Sequence, residues 1–321
     1  ILGRPSLSSE QLLARIGSLP ERMVNPRYAE SLLKYRGLVD VEYSANYIPS
    51  EAVIGVFRDA SGMFFAHYSI EPGRLSILTQ GSSFRVGFTL NGSVTDARGR
   101  TIFQYEKNIP LDFDRGQVDD IRKASIQIQD MIPLIPGDFS LSVLMKNTIS
   151  KEFTSLEGKI SIPAESSRLR MGEIRLGYLR KSVPPPAAFN KPFKLGTEQI
   201  SVQAGNNFLR AETLVAVVQS FGLGGALAAR GSLQYAVYRD GLEVLGRKRP
   251  LSGLKGTDAV EEIPLAELAP ANYQLRVSLL DPAGAEIASR AENFGVTSLP
   301  GLSRPWIVSR VMPPSDDPEY A

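Results

Sequence analysis

The sequence predicts an all-β protein built as two tandem β-sandwich domains. Alternation of apolar and polar residues is the first observation behind this prediction, and it is clear at Phe84, Val86, Phe88 and Leu90. A period of two is typical of strands that bury one face. Turn residues such as Asn91-Gly92 and Asp240-Gly241 recur between these segments, at the spacing of about 8–12 residues that sandwiches show. The length of 321 residues suits two domains of about 110–130 residues.

An internal repeat indicates that the two domains are alike. The run Pro136-Gly137-Asp138-Phe139-Ser140-Leu141-Ser142-Val143 matches Pro270-Ala271-Asn272-Tyr273-Gln274-Leu275-Arg276-Val277 at a constant offset of 270 − 136 = 134. Each copy follows an Ile-Pro-Leu, at residues 132–134 and 263–265. A proline turn before aromatic-x-Leu-x-Val commonly opens a late strand of an immunoglobulin-like or fibronectin-like sandwich. We therefore predict that Phe139 and Tyr273 lie at equivalent ends of two hydrophobic cores. The alternative is that the two runs are unrelated strands of similar sequence.

The predicted organisation has four parts. Residues 1–49 form a helical lead, since residues 8–16 and 25–35 carry helix signals. Residues 50–165 form the first sandwich, 166–299 the second, and 300–321 an extended tail. Residues 163–170 are predicted to be the linker, and Pro184-Pro185-Pro186 a short polyproline spacer. Both chain ends bury too little apolar surface alone, so we expect them to pack on the sandwiches or on neighbouring copies.

Composition limits the classes of partner. Lysine and arginine number 36 against 34 acidic residues, a net charge of +2, which provides no field for collecting nucleic acid. Without cysteine there is no disulfide or thiolate metal site. The longest apolar run, residues 214–218, is far shorter than the roughly 20 residues of a membrane span. Because the chain opens at Ile1, we expect either a removed leader or an excerpt of a longer polypeptide.

One glycine-rich run imitates a dinucleotide-binding fingerprint. Gly222-Leu223-Gly224-Gly225-Ala226-Leu227 follows an apolar strand, and Asp240 lies eighteen residues after Gly222. However, Leu227 replaces the third glycine, and only about ten residues precede the next strand, too few for a parallel crossover. We predict a flexible hairpin loop here.

The other polar candidates also favour structural roles. His67 is the only histidine and is predicted to be a surface or half-buried strand residue. For the acidic cluster we predict a solvated turn, with a calcium site as the open alternative, and for a short basic run a solubilising turn. These two sets are Asp112, Asp114, Asp119 and Asp120, and Arg247-Lys248-Arg249. The sequence thus predicts no catalytic, cofactor-binding or metal-binding residue, and a protein that is not an enzyme.

Several stretches resemble the middle region of bacterial GWxTD-domain proteins. They are Leu33-Lys34-Tyr35-Arg36-Gly37-Leu38-Val39, Ser69-Ile70-Glu71-Pro72, Ile135-Pro136-Gly137-Asp138-Phe139 and Lys146-Asn147-Thr148-Ile149-Ser150-Lys151-Glu152-Phe153-Thr154. The resemblance is best over residues 20–165 and looser over 166–300. The naming motif is absent, since the only tryptophan is Trp306, and no catalytic residues are carried over. What the resemblance implies is an extracellular, periplasmic or cell-envelope protein.

These observations favour a non-catalytic structural or protein-interaction module of a bacterial cell-envelope or secreted protein, or a subunit of an extracellular assembly. Its expected partners are other proteins or copies of itself, bound through strand edges or chain ends. The alternative is a glycan- or peptide-binding accessory module of a larger chain. For that alternative Tyr43 and Tyr47 are the candidate stacking residues.

Overall fold

A computed structural model describes most of the chain after residue 45. The described residues are 46–59, 61–74, 76–80, 83–113, 125–150, 152–162, 164, 169–183, 191–254, 256–299 and 304–309. In this part of the chain twenty β-strands form four sheets, which confirms the predicted all-β sandwich fold. The predicted helical lead lies almost wholly outside the described residues, and so do Pro184-Pro185-Pro186 and most of the predicted linker.

The first sandwich pairs a small sheet with a larger one. The small sheet has the antiparallel order β1-β2-β6, from β1 (Ser50–Arg58), β2 (Phe64–Pro72) and β6 (Ile126–Leu134). The larger sheet contains β3 (Leu78–Gln80), β4 (Ser83–Asp96), β5 (Thr101–Phe113), β7 (Gly137–Asn147) and β8 (Phe153–Ile162). The alternating apolar residues of β4 and β7 point between the sheets and form the first core, with Phe88 and Val143 at most 1% exposed.

The second sandwich has the same design with additional short strands. One sheet contains β9 (Arg170–Met171), β10 (Arg175–Ser182), β11 (Lys194–Leu195), β12 (Glu198–Val202), β14 (Thr213–Phe221) and β17 (Asp258–Pro264). The other contains β13 (Asn207–Leu209), β15 (Ser232–Arg239), β16 (Leu242–Pro250), β18 (Ala271–Leu280) and β19 (Glu286–Thr297). Helix α1 (Gly225–Arg230) joins β14 to β15, and a 3-10 turn (Leu251–Gly253) follows β16.

The strand orders of the two sandwiches correspond. In the sheets that contain the repeated run, β5-β4-β7-β8 matches β16-β15-β18-β19, and in the other sheets β2-β6 matches β14-β17. Phe139 and Tyr273 therefore occupy equivalent places near the start of β7 and β18, and both are buried, which confirms their predicted equivalence. Tyr273 also donates a hydrogen bond from its hydroxyl to the carbonyl oxygen of Ala269, at 2.7 Å. A tyrosine in this place that bonds back to the chain is typical of immunoglobulin-like sandwiches.

The turn predicted at Asn91-Gly92 is wrong, because strand β4 runs straight through both residues. Gly92 lies opposite Tyr105 of β5. A Cβ atom on Gly92 would be only 2.1 Å from the Tyr105 ring. The glycine is thus required for the aromatic ring that covers it, and not for a change of chain direction.

The flexible hairpin loop predicted at residues 222–227 is also corrected. Its second half belongs to helix α1, whose run of alanines and Leu227 favours helix. Leu223 and Leu227 pack against the second core. The strand that follows, β15, pairs antiparallel with β16 and β18, so this segment is not the parallel crossover of a dinucleotide-binding fold.

Candidate functional site

The two sandwiches pack against each other through the outer faces of one sheet from each. Strand β2 is buried at every residue from Phe64 to Ile70, and β14 at every residue from Leu214 to Ser220. Alternate residues on each strand point into the strand's own core. The remaining residues point outward and are buried because the other sandwich covers them. The four sheets therefore form a continuous stack.

An apolar layer lies between the sandwiches and contains residues from both. Its buried members are Phe57, Phe193, Leu195, Ile200, Val202, Val215 and Val217. Gly55 on β1 allows the close approach, because a Cβ atom there would stand 3.1 Å from Nε of Arg175 on β10 and 2.9 Å from the Phe57 ring. This layer is the apolar part of the interface between the sandwiches, and the other components of the interface are polar.

His67 lies at the centre of this interface. Its ring is 5.1 Å from that of Phe57, 5.6 Å from Phe193 and 6.3 Å from Phe65. Nδ1 of His67 accepts a hydrogen bond from the backbone N–H of Phe193 at 2.7 Å. Phe193 has a φ of 56°, a left-handed conformation that costs a bulky residue free energy. Packing between the sandwiches holds this conformation and directs the N–H group at the imidazole.

The prediction of a surface or half-buried histidine is therefore wrong, since His67 is only 3% exposed. The second sandwich covers a strand face that would be open in an isolated domain. Burial lowers the pKa of His67 to about 3. The imidazole is therefore neutral at neutral pH, and only in this form is Nδ1 able to accept the hydrogen bond from the backbone N–H of Phe193.

Two buried glutamines complete the polar part of the interface. Gln219 of β14 accepts from the backbone N–H of Arg58 and donates to the carbonyl oxygen of the same residue, both at 2.8 Å. Gln127 of β6 donates from Nε2 to the carbonyl oxygen of Val202 at 3.1 Å. Each amide thus binds the backbone of the opposite sandwich. These directional bonds fix the register of the two sheets, because a shifted arrangement would leave buried amides without partners.

Residues 304–309, here called the strap, connect the sandwiches a second time. Arg304 donates from Nε to Oε1 of Glu212 at 2.7 Å, and its guanidinium lies 4.3 Å from the centre of the Tyr178 ring. Both partners belong to the second sandwich. Strand β20 (Trp306–Ser309) then pairs in parallel with β6 of the first sandwich. This part of the predicted extended tail is a sheet strand; residues 310–321 lie outside the described residues.

Each sandwich has a buried acid paired with a base on the edge strand of the opposite sheet. In the first, Lys107 of β5 contacts Asp130 of β6 at 2.6 Å. In the second, Arg249 of β16 donates to Glu261 of β17 at 2.7 Å and 3.1 Å, and Arg247 reaches the same carboxylate at 3.5 Å. The predicted solubilising turn at residues 247–249 is thus wrong, because these residues lie in strand β16.

A tyrosine hydroxyl adjoins the first of these pairs. Tyr68, fully buried, donates to Oδ2 of Asp130 at 3.2 Å and is also hydrogen-bonded to Tyr105. Burial, with the Asp130 carboxylate as a further cause, raises the pKa of Tyr68 well above its usual value. In the second sandwich burial and Glu261 likewise raise the pKa of Tyr235. These clusters were not predicted from the sequence, although Asp130 and Glu261 both stand two residues before the repeated Ile-Pro-Leu.

The predicted acidic cluster is only partly described. Asp112 is exposed on β5 and accepts a hydrogen bond from Nε of Arg85 at 2.7 Å, while Asp114, Asp119 and Asp120 lie outside the described residues. Among the residues that the structure describes, no three histidine, aspartate or glutamate side chains are grouped so as to hold a metal ion.

Of the two candidate stacking tyrosines, Tyr47 is among the described residues. Tyr47 packs edge-on against Phe153 with a ring distance of 5.8 Å, and Trp306 against Phe113 at 6.0 Å. Tyr43 lies outside the described residues. Within the described ranges, no helix is both long and apolar enough to span a bilayer.

Comparison with known proteins identifies no family. No family model and no curated protein matches the sequence. Among solved structures, red sea bream transglutaminase is similar with 10% identity and a TM-score of 0.23, over 77% of this chain and 31% of that one. Parabacteroides merdae β-glucuronidase is similar with 10% identity and a TM-score of 0.24, over 72% of this chain and 28% of that one. The chain spans less than a third of either structure.

Proposed function

We propose that this chain is a non-catalytic structural or protein-interaction module of a bacterial cell-envelope or secreted protein. The observation that carries the proposal is the interface between the sandwiches. It combines an apolar layer, a buried histidine and two buried glutamines that bind the opposite backbone. Such an interface favours a single rigid body over two domains that move independently on a flexible linker. A rigid body of stacked sheets suits a spacer that holds partners at a fixed distance.

Two edge strands of the sandwiches carry features that oppose the binding of a partner strand. Strands β5 and β16 are edge strands, and both carry inward-pointing bases that pair with buried acids. Inward-pointing charges on an edge strand oppose pairing with another chain, because an added strand would disturb the buried ion pair. We therefore expect partners at the ends of the sandwiches and on their outer faces, and not along these two edges.

One end of the first sandwich exposes apolar side chains. Ile135 is 72% exposed and Met63 is 53% exposed. They adjoin Leu134 and Phe64, which are cross-strand partners in the β2–β6 ladder, so the register places them next to each other. Two neighbouring exposed apolar residues are suited to a small protein contact.

Site-specific photo-crosslinking from Ile135 in the source organism tests the proposal. We expect one protein to be captured, to bind the purified chain, and to bind Ile135→Asp at least tenfold more weakly. Lys159→Glu, an exposed change on β8, is the matched control and should bind like the unmodified chain. Equal binding by both variants would refute the contact at this end. Turnover of ester, glycoside, peptide or phosphate substrates by the purified chain would refute the non-catalytic role.

A further inference from the structure

An open groove of about 620 Å³ crosses the solvent face of the second sandwich, on strands β15, β18 and β19. Its side chains are mostly polar, from Asp240, Asn272, Gln274, Arg276 and Asn293, and they include two tyrosines, the half-buried Tyr238 and the buried Tyr273. The two sandwiches meet on the far side of the molecule from this sheet, so the groove is independent of their interface. Its volume is within the range of about 300–1,000 Å³ that ligand sites occupy.

The strand register explains why a depression forms here. Tyr238, Gln274 and Asn293 are cross-strand neighbours and form one row. The next row consists of Ala236, Arg276 and Ala291. Because the two alanine side chains are short, the surface of the sheet is depressed on either side of the long side chain of Arg276.

The charges along the groove are compensated within the protein. Arg276 donates to Oε1 of Glu286 at 2.7 Å and to the hydroxyl of Ser289 at 3.3 Å. Asp240 lies 3.5 Å from Nε of Arg239. A charged ligand would have to compete with these pairs, so the groove is complementary to a neutral one.

The exposed amides and the tyrosine ring determine the chemistry of that ligand. Gln274 donates from Nε2 to Oδ1 of Asn293 at 3.2 Å, and both side chains are exposed to solvent together with Asn272. Amides offer donors and acceptors side by side, as the hydroxyl groups of a sugar do. The half-buried Tyr238 adds a ring on which an apolar sugar face can pack.

We propose that this groove binds a neutral oligosaccharide, with Tyr238 as the stacking ring and Gln274 and Asn293 as the hydrogen-bonding groups. The proposal does not depend on the protein-interaction role, since it concerns a different face of the molecule. A chain that holds a protein at one end and a glycan at this face would link the two.

The test applies the purified chain to a printed array of neutral and acidic oligosaccharides, followed by calorimetric titration of the strongest neutral glycan. We expect binding of at least one neutral glycan. Gln274→Ala with Asn293→Ala should weaken it tenfold or more, as should Tyr238→Ala, whereas Tyr238→Phe keeps the ring and should retain most of it. Asn108→Ala, an exposed amide change on β5 of the first sandwich, is the matched control and should leave binding unchanged.

The affected side chains lie on the solvent face, so thermal melting should show that every variant is folded. Failure to bind any neutral glycan, or binding of acidic glycans alone, would overturn the proposal. Equal binding by the double variant and by Asn108→Ala would also overturn it, because the sugar would then occupy another surface.

Discussion

Acidification should lower the free energy of unfolding of this protein through His67, the buried histidine between the sandwiches. In the unfolded chain the imidazole has its ordinary pKa of 6.5, whereas burial lowers it to about 3 in the folded protein. Between these two pH values the unfolded state binds a proton that the folded state excludes. The contribution of this group is therefore fully present above pH 6.5 and is lost progressively as the pH falls toward 3.

The size of the effect follows from the difference between the two pKa values. Each pH unit below 6.5 removes about 1.4 kcal/mol from the free energy of unfolding. Going from pH 7 to about pH 4.5 crosses two such units, so we expect a loss of about 3 kcal/mol from His67 alone. Forced protonation would also replace the hydrogen bond from Phe193 by two facing N–H groups.

Urea unfolding at the two pH values measures this loss, and the His67→Gln variant isolates it. Glutamine is neutral throughout, and its side-chain oxygen is able to accept a hydrogen bond. Carboxyl groups titrate in both proteins and cancel in the comparison. We expect the loss of unfolding free energy to be about 3 kcal/mol larger with histidine than with glutamine. If acidification lowers the free energy of unfolding of both proteins equally, His67 is not a buried neutral group in the folded protein.

Three further changes test other parts of the structure. Phe139→Ala should lower the free energy of unfolding by about 3–5 kcal/mol, since it leaves a cavity at one end of the first core; an unchanged urea midpoint would contradict the placement of Phe139 in that core. Arg249→Ala should lower the free energy of unfolding more than Lys159→Ala does, because Glu261 keeps a buried charge with less compensation, whereas Lys159→Ala on the surface should cost under about 0.5 kcal/mol; equal losses from the two changes would show that the pair of Arg249 with Glu261 does not stabilise the fold. Arg304→Ala should speed hydrogen exchange of the β20 amides roughly tenfold and leave exchange in β14 unchanged; equal protection would show that Arg304 does not hold the strap.

Local sequence patterns predicted the strands but not the interface in which the second sandwich covers the outer face of the first. Alternation in β4 and β7 and the Pro-x-x-aromatic repeat fixed both cores, because those residues are buried by their own domain. The interface was missed, since it depends on contacts between segments more than a hundred residues apart, such as His67 with Phe193. A signal was present for β14 all the same, in the unbroken apolar run Leu214 to Val218, whereas His67 and Ser69 alternate with apolar residues in β2 as they would in a half-exposed strand.

Short polar and glycine signals failed for a related reason. Gly92 resembles a turn residue in isolation, and only the neighbouring strand reveals that Tyr105 needs the space. Residues 247–249 resemble a solvated basic turn until Glu261 is brought across the sandwich to meet Arg249. In each case the partner comes from another strand, so the local sequence had no way to distinguish the two roles.

The parallel pairing of β20 with β6 has a consequence for synthesis on the ribosome. Val308 pairs with Ile128, which is 308 − 128 = 180 residues earlier. At roughly 5–20 residues per second, about 10–35 s separate the emergence of the two strands. Throughout that interval the nascent first sandwich has β6 as an open edge, available to any extended segment of another chain. In a crowded cell, folding of this protein therefore favours rapid completion of each chain and few chains at a time, or a chaperone that covers β6 until the strap arrives.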